Sequence, residues 1–163
     1  MAKKGSKNDG PKGPATIQNR RAAFDYKILD TIEAGIVLAG SEVKSVFLGL
    51  ANLTDSYVRI EKGEAWLFNA DIEPYKHTAH FAPQRRRDRK LLLKRKEIIQ
   101  LDMRVQSKGL ALIPLKIYFN ERGRAKVLIG FGEGKKNYDK RDSIAERETK
   151  RQQERLQRGM RDD

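Results

Sequence analysis

From Phe24 the apolar positions alternate with polar ones, through Tyr26 and Ile28 to Ile32, and the run EAGIVLAG extends the pattern. This predicts one long strand, with Gly35 as a bulge or bend. Ser41 can cap a short helix whose Val43, Val46, Phe47 and Leu50 recur at helical spacing. DSYVRIEKGEAWLFNADI reads as a hairpin turning at Glu61–Glu64. Residues 72–88 are irregular, with prolines at 74 and 83. DRKLLLKRKEIIQLDMRVQSKG predicts a helix with a basic face opposite Leu92, Ile99 and Val105, ended by Gly109. LALIPLKIYF, the turn NERGR and AKVLIGFG form a second hairpin. The order is β-α-β-β-α-β-β with about five to six strands, so a mainly β chain with short helices is expected to form a small closed or partly open barrel.

The core is expected to end near Phe131. Beyond it, GKKNYDKRDSIAERETKRQQERLQRG is helical in its spacing yet carries few aliphatics after Tyr138: Ile144, Ala145 and Leu156, with Met160 just outside. Asp142 or Ser143 can begin a helix there, Ser143 and Glu146 having capping-box spacing. Glu146–Lys150 and Glu154–Arg158 are favourable pairs, whereas Arg147–Arg151 and Arg151–Arg155 repel. Each favourable pair contributes only about 0.2–0.5 kcal/mol, so the tail is expected to be disordered or fraying when alone. The alternative is a docked helix whose Ile144, Leu156 and Met160 touch the barrel. Three units follow: a disordered basic arm over 1–15, a barrel over 16–132 and a tail over 133–163.

Charge sharpens this division. The 163-residue chain has a net charge of +13, distributed as +5 over 1–21, −4 over 22–83, +7 over 84–96, +3 over 97–132 and +2 over 133–163. A focused basic block on a neutral or acidic body is the footprint of a polyanion, with nucleic acid the leading candidate and an anionic membrane surface the rival. A merely solubilising surface is the third reading. The chain has no cysteine. No signal sequence or membrane-spanning run is present, and a cytoplasmic protein is expected.

Catalytic chemistry finds little support. His77 and His80, near Asp71 and Glu73, lack a third ligand at a recognised spacing, and Pro74 argues against a helix that would pair them. GFGEGKK fails the phosphate-loop spacing and reads as a flexible exit from the barrel. No catalytic residue, metal or cofactor is expected. The block QRRRDRKLLLKRK is more informative, because Arg85, Arg86, Arg87, Arg89 and Lys90 suit phosphate and folded RNA. Leu91, Leu92 and Leu93 exceed what one helix face can bury, so at least one should stay exposed.

NRRAAFDY, EAGIVLAGSEVKS, ANLTDSYV, RKLLLKRKEI and GKKNYDKR, in that order, resemble successive signatures of the bacterial SsrA-binding protein family, the partner of transfer-messenger RNA in trans-translation. The resemblance spans about Thr16 to Arg155. It implies a barrel of the oligonucleotide/oligosaccharide-binding type that holds the transfer-RNA-like domain of that RNA and enters stalled ribosomes, as a monomer in the RNA complex. It assigns RNA-binding roles to Asn19, Glu33 and Leu92, with Arg20, Arg21 and the 85–96 block attracting phosphate. It further implies that the tail becomes helical in the empty message channel, next to the 16S ribosomal RNA of the decoding centre. Asp139, Lys140 and Arg141 match the decoding-centre motif, with Gly134, Lys135 and Lys136 just before it. A general RNA-binding or ribosome-assembly protein, and a metal-dependent nuclease using His77 and His80, are the competing classes.

Overall fold

The computed structural model describes residues 13–78 and 82–159; most of the basic arm, His80 and Met160 lie outside them. Short β1 (Ile17–Gln18) leads into the one-turn helix α1 (Ala22–Asp25) and the long strand β2 (Tyr26–Ile36). Helix α2 (Gly40–Phe47), β3 (Ala51–Asn52), the hairpin β4 (Tyr57–Glu61) and β5 (Glu64–Phe68), and β6 (Asp71–Ile72) follow. Then come β7 (Arg89–Leu92), α3 (Arg95–Lys108), β8 (Ala111–Phe119), β9 (Ala125–Gly134) and α4 (Asn137–Gly159).

The strands pair in the order β8-β4-β5-β7-β2-β9, and β9 pairs back to β8, so six strands close a ring. β1 adds to the outside edge of β8, and β3 pairs with β6 separately. Closure removes the unpaired edges that an open sheet would expose. Val58, Leu67, Leu91, Ile117, Val127, Ile129 and Phe131 project inward into one core. Phe131 is its last member, as the sequence pattern predicts. This is the oligonucleotide/oligosaccharide-binding type of barrel.

Local chemistry explains the turns. Lys62 and Gly63 both have positive φ, the two-residue turn whose twist suits a hairpin. Gly109 is left-handed at φ 60° and ends α3.

Several details differ from the sequence pattern, beginning with Phe24, which lies in α1 and not at the start of the long strand. Residues 89–92 form a strand rather than the first turn of a helix. Arg89 and Leu91 point in while Lys90 and Leu92 point out, and pairing with β5 and β2 is required to close the ring. The bulge in β2 falls between Ile28 and Asp30, whereas Gly35 lies in regular register opposite Lys126. Ser41 sits inside α2; Ala39 precedes the helix, and its N–H donates to Glu42 Oε2 at 2.8 Å. Helix α4 begins at Asn137, well before Ser143, whose hydroxyl instead donates to the Asp139 carbonyl.

GFGEG is part of β9 and not an exit loop. A Cβ at Gly132 would come within 2.4 Å of Ile113 Cδ1 and 3.0 Å of Tyr26 Cβ, so strand packing accounts for that glycine.

Candidate RNA interface

The first half of the basic block is tied down by carboxylates of the acidic segment that precedes it, whereas Lys94, Arg95 and Lys96 are exposed where α3 begins. Arg89 is fully buried, and all five of its N–H groups have acceptors: Glu42 Oε1 from Nε and Nη2, and the carbonyls of Ala70, Arg87 and Arg85. Arg87 donates from Nε to Glu42 Oε1 at 2.9 Å and pairs with Oε2 through Nη2. Glu42 itself is only 4% exposed. Burial pushes its carboxyl up, but hydrogen bonds from Arg87, the Ala39 N–H and Arg89 outweigh that and hold it below its ordinary value. Burial likewise lowers Arg89, partly offset by Glu42. Arg85 forks onto Asp71 at 2.8 and 3.1 Å, while Arg86 approaches Asp71 only at 3.9 Å. Lys90 donates to Glu64.

Of the cations expected to attract phosphate here, Arg89 is therefore an internal staple, the half-buried Arg87 is paired with Glu42 at the surface edge of that staple, and Arg85 is clamped. Arg86 remains outward. Arg20 is exposed beside an open cleft of about 690 Å³ that also reaches Arg85, whereas Arg21 pairs with Asp25 at 3.0 Å.

Asn19 is also turned inward. Its amide nitrogen donates to the Leu53 and Pro114 carbonyls, and its Oδ1 accepts from Ala22 N–H. At 8% exposure it pins α1 and the β3 region to the barrel and offers no free edge to a base.

Glu33 and Leu92, far apart in sequence, meet on one outer wall. Tyr118, Lys126, Gly35 and Leu92 form a rung across β8, β9, β2 and β7. Leu92 is the leucine left outside, at 54% exposure, while Leu91 is buried. A Cβ on Gly35 would lie 3.1 Å from Leu92 Cβ, so glycine clears the floor under that side chain. Two residues along β2, Glu33 accepts a hydrogen bond from the Tyr118 hydroxyl and faces Lys126 Nζ at 3.8 Å. Lys126 and Arg124 line a cleft of about 500 Å³ with Leu92. Reading the sequence alone missed Tyr118, Arg124 and Lys126, although the alternation of the second hairpin places Tyr118 and Lys126 on outward positions.

The tail begins from a fixed seat. Lys135 N–H donates to the Asp25 carbonyl at 3.0 Å, and its Nζ donates to the Ala23 carbonyl and to Ser143 Oγ. Asp139 caps α4 by accepting from Lys136 N–H at 3.3 Å, and Lys140 lies 3.6 Å from Asp25. The Arg147 guanidinium lies over Phe24. Contact is thus made at α1, by the first turns. Ile144 is exposed, and Arg141 and the charged residues of the outer turns face solvent. Gly134 and Lys136 are exposed at the junction.

Among the described residues, no group of three or more His, Cys, Asp or Glu side chains is arranged to hold a metal. None of the described helices is long and apolar enough to cross a membrane.

A closed small barrel with a cation-rimmed apolar wall and a polar, largely solvent-facing terminal helix defines an RNA-binding module of the oligonucleotide/oligosaccharide-binding type. The family model for SmpB protein matches residues 16–159. The SsrA-binding protein of Chlorobaculum tepidum is 51% identical over 156 residues, covering 96% of this chain and 98% of its own. That of Desulforamulus reducens is 48% identical over 154 residues, covering 94% and 96%. A chain in the solved structure described as "tmRNA-SmpB: a journey to the center of the bacterial ribosome" is 52% identical with a TM-score of 0.64, covering 75% of this chain and 85% of that one. The chain belongs to the SmpB family of SsrA-binding proteins.

Proposed function

We infer that this chain is an adaptor without catalytic activity. It binds the transfer-RNA-like domain of transfer-messenger RNA and delivers it to stalled ribosomes in the bacterial cytoplasm. The observation that carries this is the near-full-length similarity to SsrA-binding proteins, which includes both barrel and tail. On the barrel, Leu92 supplies an apolar contact, Glu33 accepts from a base or ribose donor, and Lys126, Arg124 and Arg20 meet phosphate. Glu33 is held by Tyr118 and Lys126 in the free protein, and as a half-exposed carboxylate it has acceptor capacity left for an RNA donor.

The tail enters the empty message channel near the decoding centre, where Asp139, Lys140, Arg141 and the Gly134–Lys136 junction act. Its outer turns have little of their own to hold them, so the channel holds that helix in place on binding, and basic, polar surfaces suit a channel lined by ribosomal RNA. Equilibrium binding to the transfer-RNA-like domain, with ordinary transfer RNA as competitor at near-physiological salt, tests the reading. A preference of about a thousandfold or more, the low end of the usual gap between specific and non-specific nucleic-acid binding, is the expected result. Equal binding would reduce the site to an electrostatic footprint and favour a general RNA-binding protein.

A further inference from the structure

Helix α2 turns Glu42, Ser45 and Val46 inward and leaves Val43, Phe47 and Leu48 exposed on its outer side, Phe47 at 43%. This surface is continuous with the wall described above. Val43 lines the cleft that holds Leu92, Phe119, Arg124 and Lys126. It also lines a neighbouring hollow of about 300 Å³ with Phe47, Leu48 and Tyr75. The Phe47 and Phe119 rings meet edge to face at 5.8 Å, leaving one aromatic body directed outward. The rim is cationic: Lys44 sits over Tyr75, and Arg124 and Lys126 border the other side. The nearby acid, Glu33, is already engaged by Tyr118 and Lys126.

We propose that the outer face of α2, through Val43 and Phe47, extends the Leu92 wall as a packing surface for unpaired bases of the bound RNA. The proposal rests on the RNA-binding reading above and adds residues and a ligand class to it. Charge selects the occupant. A second copy of a chain carrying +13 would bring cations to a cationic rim, whereas single-stranded RNA brings flat apolar bases flanked by phosphates. A duplex cannot use the floor, because its bases are already stacked and its deep groove admits no side chain. The α2 face therefore selects loop nucleotides over stem, and it contributes contact without adding to the salt dependence.

The test measures full-length Phe47→Ala, Phe47→Leu, Val43→Ser and Leu92→Ala with the transfer-RNA-like domain and with a blunt-ended, fully paired two-strand duplex of the same stem. Phe47→Ala is expected to weaken the first by about tenfold, the loss of one packed base, with an unchanged salt slope and unchanged duplex binding. Phe47→Leu should recover part of that loss. Val43→Ser carries the same expectation should Phe47→Ala lower the melting temperature through its contact with Phe119. If Leu92→Ala weakens binding while the α2 variants bind as the parent does, the proposal falls and the wall itself stands. If neither position matters, the reading of the wall falls too. A change in sedimenting mass instead of RNA affinity would mark a self-association face and would also overturn it.

Discussion

The two cation-rich regions, 85–90 and 135–158, look alike in sequence and behave differently in space. In the first, Glu42, Asp71 and Glu64 neutralise most of the charge, and Arg89 vanishes into the interior. In the second, the described hydrogen bonds and ion pairs with the body run to α1, and most of the remaining cations face solvent. An arginine thus becomes a staple where a buried carboxylate waits for it, as Glu42 does for Arg89, and stays at the surface where none does. Linear charge, +7 over residues 84–96, overstates the phosphate attraction of the barrel because the −4 segment before it folds against it.

The sharpest way to break this contrast is to remove the shared carboxylate. Glu42→Ala leaves Arg89 buried without its counter-ion, which costs about 3–5 kcal/mol when one member of a buried pair is deleted. Urea unfolding measures it; a loss below about 1 kcal/mol would mean that the arginines are not held as described. The same pair sets an acid limit. Because the folded Glu42 sits below its ordinary value of 4.5, its contribution is present above that pH and is lost as pH falls through the lower folded value. A stability–pH curve should therefore decline below about pH 4.5, and Glu42→Gln should flatten that decline at the cost of lower stability at neutral pH.

RNA binding sharpens the comparison next. Lys126→Ala should weaken all RNAs and reduce the salt slope by about one, the effect of one lost phosphate contact. Arg85→Ala should change that slope by less, since its fork already holds Asp71. Equal slopes would put Arg85 back among the phosphate ligands. The smallest effect is expected at the tail's seat. Phe24→Ala removes the surface under Arg147 and should destabilise the docked turns by about 0.5–1 kcal/mol, a cation–π contribution at an exposed site. Greater amide exchange in 137–147, with barrel exchange unchanged, is the readout.

Much of the barrel was legible because alternation in the two hairpins and the termination at Gly109 are local signals. β7 was not: its four residues are contiguous with a good helical pattern, and only ring closure with β5 and β2 makes them a strand. The site was legible in part. Glu33 and Leu92 came from resemblance, and the structure sets them on one wall; Lys126 and Tyr118 needed register to be seen. Asn19 and Arg89 have the right chemistry for RNA, but their partners, Leu53, Pro114 and Glu42, lie 34 to 95 residues away and are invisible to any local pattern.

The division of labour between wall and tail is tested most directly by ending the chain at Gly134 and measuring two quantities on the same protein. Affinity for the transfer-RNA-like domain should stay within about twofold of the full chain, because phosphate and base contacts on the barrel are retained. Tagging of peptides on stalled ribosomes should be abolished. Parallel loss of both activities would contradict the account, since recognition would then need the tail as much as action does.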